Sequence, residues 1–393
     1  VELSSLFSTF ITKISPTKDQ LDDLITGHRT LRKRLKAEPS LAPYIEAVFL
    51  QGSYARKTVV RPITSKRSDV DIVVVTNLHP DDWTPAQAME LFEQFVKKYY
   101  AGKYRPQNRS IGIELSYVEL DLVITSSPLL AVRESERKLL QKSVPSPDVI
   151  AERKLLRAAE SMTEDVELQS LDDLNDDLFL EAWQPPSGGY IRKSATATDW
   201  RDVPLDIPDC QLECWEPTHP LAQKAWTTTK NADCKGKYLH VVRALKWWWV
   251  NLNHPDQQRP KGYPLEHLIG QTCPTGIETV AEGVTRTLEE TVRRYEMLWL
   301  LGNKPVLPDH GVPGHDVFAG VDSDQFAYFY DEVTAAAITA RAALDADNRD
   351  DSVKLWRKLF GSRFPDPPTS GDDRGGHTTP QDEPGPVGEG RFA

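Results

Sequence analysis

Residues 69–75 read Asp-Val-Asp-Ile-Val-Val-Val, and this run restricts the fold more than any other part of the chain. An unbroken succession of β-branched residues favours an extended strand, and side chains on a strand alternate between its faces. Asp69 and Asp71 therefore share one face, while Val70, Ile72 and Val74 take the other. Neighbouring carboxylates repel, so a strand gains nothing by packing them. They are tolerated where divalent cations that prefer oxygen ligands, Mg²⁺ above all, sit between them. Upstream, Gly52-Ser53 supply a backbone able to approach phosphate, a hydroxyl and free N–H groups. A second buried strand is predicted over residues 118–124, with Glu119 and Asp121 on one face. Asp121 lies deeper in the apolar run and is the expected third acid, with Glu119 as the alternative. The bland reading has Asp69 and Asp71 capping a strand end and Asp121 paired with an arginine; the Gly-Ser turn argues against it.

The chain has 393 residues, enough for a large core and two domains. Residues 1–40 are predicted to form one long helix, with Leu21, Leu24, Leu31 and Leu35 at mostly helical spacing. Residues 41–127 read as a sheet layer: a strand to Leu50, the Gly-Ser turn and the Asp-x-Asp strand. A helix then runs from about Thr84 to Tyr100, capped by threonine and proline and stopped by Gly102. Strands follow at 110–117 and 118–125, an α+β order with a mixed sheet. Residues 128–217 are acidic and proline-containing, with short helical patterns near 147–165 and 172–183. Helices return over 220–252, 263–270, 277–301, 323–346 and 350–360, so 218–364 is a helical lobe. Residues 365–393 are rich in Pro and Gly and bury too little to offset ordering entropy, so a disordered tail is expected.

The net charge of −11 argues against a broad basic face for long nucleic acid. The local exception is the fifteen-residue stretch between Ser53 and Asp69, which carries Arg56, Lys57, Arg61, Lys66 and Arg67. That placement suits a small, highly charged substrate. No apolar run approaches the roughly 18 residues that cross a bilayer, and no charged start leads into an apolar segment, so no membrane association is expected. Four cysteines in so long a chain point to reduced thiols in the cytoplasm. Cys210, Cys214, His219 and Cys234 are spaced so that a zinc cluster is conceivable, but packing cysteines are the expectation. Lys246 sits in a largely apolar helix with few solvent directions, so it either reaches into a cleft as a point charge or runs along the surface on its stem. The neighbouring Trp247, Trp248 and Trp249 point three ways and are mostly core. His240 and His267 are expected to be helix histidines, not metal ligands, and Tyr263 and Glu266 a structural junction, with Tyr263 a candidate for base stacking.

Gly52-Ser53, Asp69-x-Asp71 and Asp121 resemble the signature of the polymerase-β-type nucleotidyltransferase superfamily. The segments Gln51-Gly52-Ser53-Tyr54-Ala55-Arg56-Lys57-Thr58, Leu245-Lys246-Trp247-Trp248-Trp249 and Lys261-Gly262-Tyr263-Pro264-Leu265-Glu266-His267-Leu268 narrow this. In that order they are similar to the bacterial cGAS/DncV-like nucleotidyltransferases, nearest to clade D, of CBASS anti-phage systems. The resemblance implies a polymerase-β-like core, a mixed β-sheet with flanking helices, plus a C-terminal helical lobe of the oligoadenylate-synthase/cGAS type. Residues 1–40 would then be a spine linking both lobes, and 41–217 the catalytic core with a span covering the pocket. It also implies a synthase that makes a cyclic trinucleotide from ATP and GTP with two Mg²⁺ ions, for which Mn²⁺ can substitute. Asp69, Asp71 and Asp121 would hold the metal, and Gln51, Gly52, Ser53 and Lys246 the nucleotide. The tail resembles C-termini that an E1/E2-like transferase engages, with Ala393 activated and Phe392 as anchor; a HORMA-type regulator is the other arrangement. A downstream cyclic-nucleotide-sensing effector completes the implied partners. Two other readings stand beside this one: transfer of AMP to a protein or small molecule, and a mainly non-catalytic module conjugated through its tail. The stretch from Asp309 to Asp316 departs from the family's late Asp-Pro-x-x-Pro-x-Asn pattern, so no role is carried over to it.

Overall fold

The computed structural model describes residues 3–62, 67–127, 171, 180–181, 200–252 and 260–366. Lys66, the helical patterns at 147–165 and 172–179, and the tail with Phe392 and Ala393 lie outside the described residues.

The predicted helix over 1–40 is two helices, α1 (Ser4–Ile14) and α2 (Lys18–Ala37). Pro16 has no N–H to continue the first. Thr17 starts the second, accepting from the Gln20 backbone while the Gln20 side chain accepts from Thr17 N, a reciprocal cap. The break divides labour. The apolar face of α1 (Phe7, Phe10, Ile11, Ile14) joins the core of the helical lobe, and that of α2 (Leu21, Leu24, Leu31, Leu35) joins the core under the sheet.

The sheet contains β1 (Ile45–Gln51), β2 (Asp69–Thr76), β3 (Tyr104–Pro106), β4 (Ile111–Glu114), β5 (Glu119–Ser126), β6 (Leu180–Glu181), β7 (Leu205–Asp209) and β8 (Cys214–Thr218). The spatial order is β3-β4-β5-β2-β1-β6, with β7 pairing β5 and β8. Only β2·β5 is parallel among the described pairs; the class is α+β with a mixed sheet. A four-residue helix, α3 (Gly52–Ala55), turns the chain at the end of β1. The helix α4 (Pro85–Tyr100) starts at the Thr84 cap with Pro85 in its first turn and ends before Gly102, as expected. The strand expected over 110–117 stops at Glu114, and β3 is an additional strand paired with it. Leu180–Glu181 is a strand on the edge of β1, where a helical pattern was expected.

The helical lobe comprises α5 (Pro220–Asp233), α6 (Tyr238–Asn251), α7 (Tyr263–Thr272), α8 (Val280–Leu300), α9 (Ser323–Asp345) and α10 (Arg349–Phe360). The run 220–252, expected as one helix, breaks because Lys235 and Gly236 adopt φ of 51° and 77°, a left-handed conformation that ends a helix. Phe7 of α1 meets Trp356, Phe360 and Phe364 edge-on at centroid distances of 4.9, 6.2 and 5.2 Å, so the first helix and the last close one aromatic cluster. Among the described residues no helix is long and apolar enough to cross a membrane.

Candidate active site

Strand alternation puts Val70, Ile72 and Val74 into the core under the sheet and Val73 and Val75 into a small core on the opposite side. Asp69 and Asp71 belong to the second face, at the open end of β2. Parallel pairing then aligns Asp69 with Glu119 and Asp71 with Asp121. This register brings the third acid beside the first two and selects which acid of β5 lies deeper. Glu119 is half exposed, with Arg67 at 4.0 Å, while Asp121 accepts from Gln107 Nε2 at 3.0 Å.

The electrostatics of this face are unbalanced. Burial, then the like charges of Asp69 and Asp121, push the Asp71 carboxyl up to about 7, against the pull of Arg56. Burial and Asp69 raise Asp121 too, with the Gln107 hydrogen bond opposing. Carboxylates raised by mutual repulsion are a donor set that a hard divalent cation satisfies. Among the described residues no group of three acids, histidines or cysteines is set close enough to hold an ion; the chemistry of the donor set is what suits one. The residues present fit such an ion.

Gly52 has φ of 74°, and a Cβ there would lie 1.8 Å from Asp71 Oδ2. Only glycine gives both the backbone angle and the room. Gly112 gives room beside the third acid in ordinary strand backbone: it pairs with Asp121 across β4·β5, and a Cβ would meet Gln107 Nε2 at 2.5 Å and Asp121 Oδ1 at 3.4 Å.

A cavity of about 480 Å³ opens here, lined by Gln51, Gly52, Ser53, Asp69 and Asp71 from the sheet side and by Lys246, Tyr263 and Glu266 from the helical lobe. Asp121 stands behind Asp71 and does not line it. Lys246 reaches the cavity wall instead of running out to solvent, and there it donates to Glu266 Oε1 at 2.6 Å. The other oxygen of Glu266 accepts from Arg56 Nε at 3.0 Å and from Thr58 Oγ1 at 2.8 Å. Arg56 also lies over the Tyr263 ring, 4.9 Å from its centroid, which fills the ring face expected for base stacking. Burial alone would raise the Glu266 carboxyl; Arg56 and Lys246 outweigh it and hold it at about 2.

Arg56, Thr58, Glu266, Gln107 and Gly112 were thus not singled out as site residues. The signal in the sequence was a lone acid in the apolar run of α7, with Arg56 just after the Gly-Ser turn. The three tryptophans are core: all are buried, and Trp247 Nε1 donates to Phe360 O at 3.0 Å. His267 is buried and stacks on His310 at 4.1 Å, which stacks on Trp226 at 3.8 Å. Cys234 is buried beside Cys273 in the helical lobe, whereas Cys210 is half-buried and Cys214 exposed on the sheet.

Two acids spaced along one strand, a third set beside them by parallel pairing, and a glycine-serine turn opening a cavity define a nucleotidyltransferase. The family model described as "Second Messenger Oligonucleotide or Dinucleotide Synthetase domain" matches residues 1–137. The chain is 42% identical over the full length of both proteins to a probable cyclic AMP-AMP-GMP nucleotide synthase of Salmonella paratyphi B. It is 41% identical, again over the full length of both, to the cyclic AMP-AMP-GMP synthase of Enterobacter hormaechei subsp. hoffmannii. Among solved structures, CdnG of Bradyrhizobium diazoefficiens in complex with GTP shares the fold at a TM-score of 0.61 and 13% identity, covering 93% of this chain and 96% of that one. The chain belongs to the bacterial cGAS/DncV-like nucleotidyltransferases and is a cyclic oligonucleotide synthase.

Proposed function

We propose that this synthase joins ATP and GTP into a cyclic trinucleotide, with divalent metal held by Asp69, Asp71 and Asp121. The observation that carries the reading is the parallel β2·β5 register, which sets Asp121 beside Asp71, and Asp71 with Asp69 lines the cavity opened by Gly52 and Ser53. The bases follow from the two full-length relatives above 40% identity, both named for cyclic AMP-AMP-GMP.

When bound, Mg²⁺, or Mn²⁺ in its place, makes the attacking hydroxyl more acidic and offsets charge on the triphosphate. The chain supplies the rest. Ser53 and the adjoining backbone, beside Gln51 and Gly52, receive phosphate oxygens. Lys246 offers an ammonium with three donors, of which Glu266 takes one. Asp71, whose carboxyl is pushed up by burial and then by Asp69 and Asp121, would hold the ion together with those two acids. A ribose hydroxyl attacks the α-phosphorus, the bond to pyrophosphate breaks, and the same site closes the ring after the linear product is repositioned.

The biological setting is anti-phage signalling. An E1/E2-like transferase would engage the tail at Ala393 with Phe392 as anchor, a HORMA-type regulator is the competing partner, and a cyclic-nucleotide-sensing effector receives the product. The test is incubation of the protein with Mg²⁺ and labelled nucleotide mixtures, followed by phosphatase and mass analysis. A phosphatase-resistant product containing adenine and guanine, lost in Asp69→Asn/Asp71→Asn, is expected. A linear product, or labelling of the protein by AMP, would overturn the reading.

A further inference from the structure

A pocket meant for a polyanion has a buried carboxylate in its wall, and this calls for a reason. Glu266 is 4% exposed, Lys246 and Arg56 each 8%. All three therefore sit where an unpaired charge is expensive. Glu266 satisfies both cations at once, one on each oxygen, and binds Thr58 with the second. Arg56 and Thr58 follow the Gly-Ser turn on the sheet side, whereas Glu266 and Lys246 come from α7 and α6 of the helical lobe. The three charges sum to one positive charge facing the triphosphate place, where Arg56 and Lys246 alone would present two.

We propose that Glu266 is a positioning residue: it keeps Arg56 and Lys246 buried and aimed while the triphosphate place is empty, and so limits how tightly the site holds nucleotide and pyrophosphate. This rests on the nucleotidyltransferase reading above. Entering phosphates then share Lys246 with Glu266, and departing pyrophosphate gives it back. The carboxylate is a permanent internal competitor for the cation that grips the leaving group.

The test uses the full chain with Mg²⁺ and pyrophosphate as probe, by calorimetric titration and thermal unfolding, on wild type, Glu266→Gln and Glu266→Gln/Lys246→Met. Glu266→Gln is expected to melt lower without ligand, because two buried cations lose their counter-charge. It is also expected to bind pyrophosphate about tenfold more tightly, the effect of deleting one nearby negative charge in a partly screened site. Its KM for ATP falls and kcat falls with it as pyrophosphate leaves more slowly. The double variant removes one charge of each sign but leaves Arg56 without Glu266; it still melts below wild type and binds pyrophosphate more weakly than wild type. A merely structural Glu266 would make Glu266→Gln bind more weakly or unchanged, and that outcome overturns the proposal. Should the single variant not fold, Lys246→Met against the double variant decides: losing Glu266 in addition must tighten pyrophosphate binding, and an equal or weaker grip overturns the proposal. If wild type binds neither pyrophosphate nor ATP, the nucleotidyltransferase reading fails, and the unliganded midpoints still judge the charge balance separately.

Discussion

Asp71 and Glu266 line the same cavity and meet opposite fates. Asp71 faces two more acids, and burial with their repulsion lifts it to about 7. Glu266, more fully buried, faces Arg56 and Lys246 and sits at about 2. The strand acids are short of positive charge, whereas Glu266 has two cations, Arg56 from the sheet side and Lys246 from its own lobe. A group whose folded pKa is raised costs stability as pH climbs from its unfolded value through the folded one. A group whose folded pKa is depressed adds stability above its unfolded value and loses it as pH falls toward the folded one. Between about pH 5 and 8 the sheet side therefore weakens the metal-free fold while the helical side holds it. One wall is built to be completed by ligands, the other is complete already.

The contrast can be broken at either wall. The largest effect is expected for Asp121→Asn, which should slow product formation at least about a hundredfold, since a metal ligand's share of transition-state charge stabilisation is several kcal/mol. Glu119→Gln, on the half-exposed partner position, should change the rate by no more than about twofold; equal losses in the two would dissolve the distinction that the register draws. In the Glu266 network, Arg56→Met removes the buried guanidinium that Glu266 and Asp71 both face, and should cost about 3–5 kcal/mol in urea unfolding. Asp71→Asn should do the reverse in EDTA at pH 8, stabilising the protein by up to about 4 kcal/mol while slowing product formation to the same extent as Asp121→Asn. That gain should fade as pH falls toward about 4, the ordinary range of an aspartate, and should shrink when Mg²⁺ is restored; a gain independent of pH would refute the repulsion. Arg286 and Glu282 pair at 2.8 Å on the exposed surface of α8. Arg286→Ala should cost only about 0.3–0.5 kcal/mol by the same unfolding assay, which measures how much of the Arg56 effect comes from burial.

The acids of β2 were legible because alternation is a local property, and Gly52 because only one residue type fits its backbone. The choice of Asp121 over Glu119 was legible from depth in an apolar run, although the parallel pairing that justifies it joins residues 50 positions apart. The Arg56–Glu266 pair spans 210 positions and leaves no local trace, so Glu266 read as a junction residue. Breaks in helices were the weaker part. Pro16 was a plain stop signal inside the 1–40 pattern, and periodicity outvoted it. Gly236 broke 220–252 in the same way, helped by Lys235 in a conformation that few side chains adopt. Lys246 lines the cavity, one of the two placements its helix left open, and its partner there was not foreseen. The patterns over 147–165 and the tail lie outside the described residues and do not enter this account.

The aromatic cluster that joins Phe7 to Trp356, Phe360 and Phe364 also sets an order of events during synthesis. A ribosome delivers α1 first, with its apolar face bare, and the rings that cover it arrive more than 340 residues later. The sheet with its acids can assemble much earlier from α2 onward, because its partners are closer in sequence. Contacts between distant residues form late, so the helical wall with Glu266 should be the last to settle. A nascent chain would thus carry its acids and Arg56 long before it carries Lys246 and Glu266, and a translation product truncated between them would make no signal.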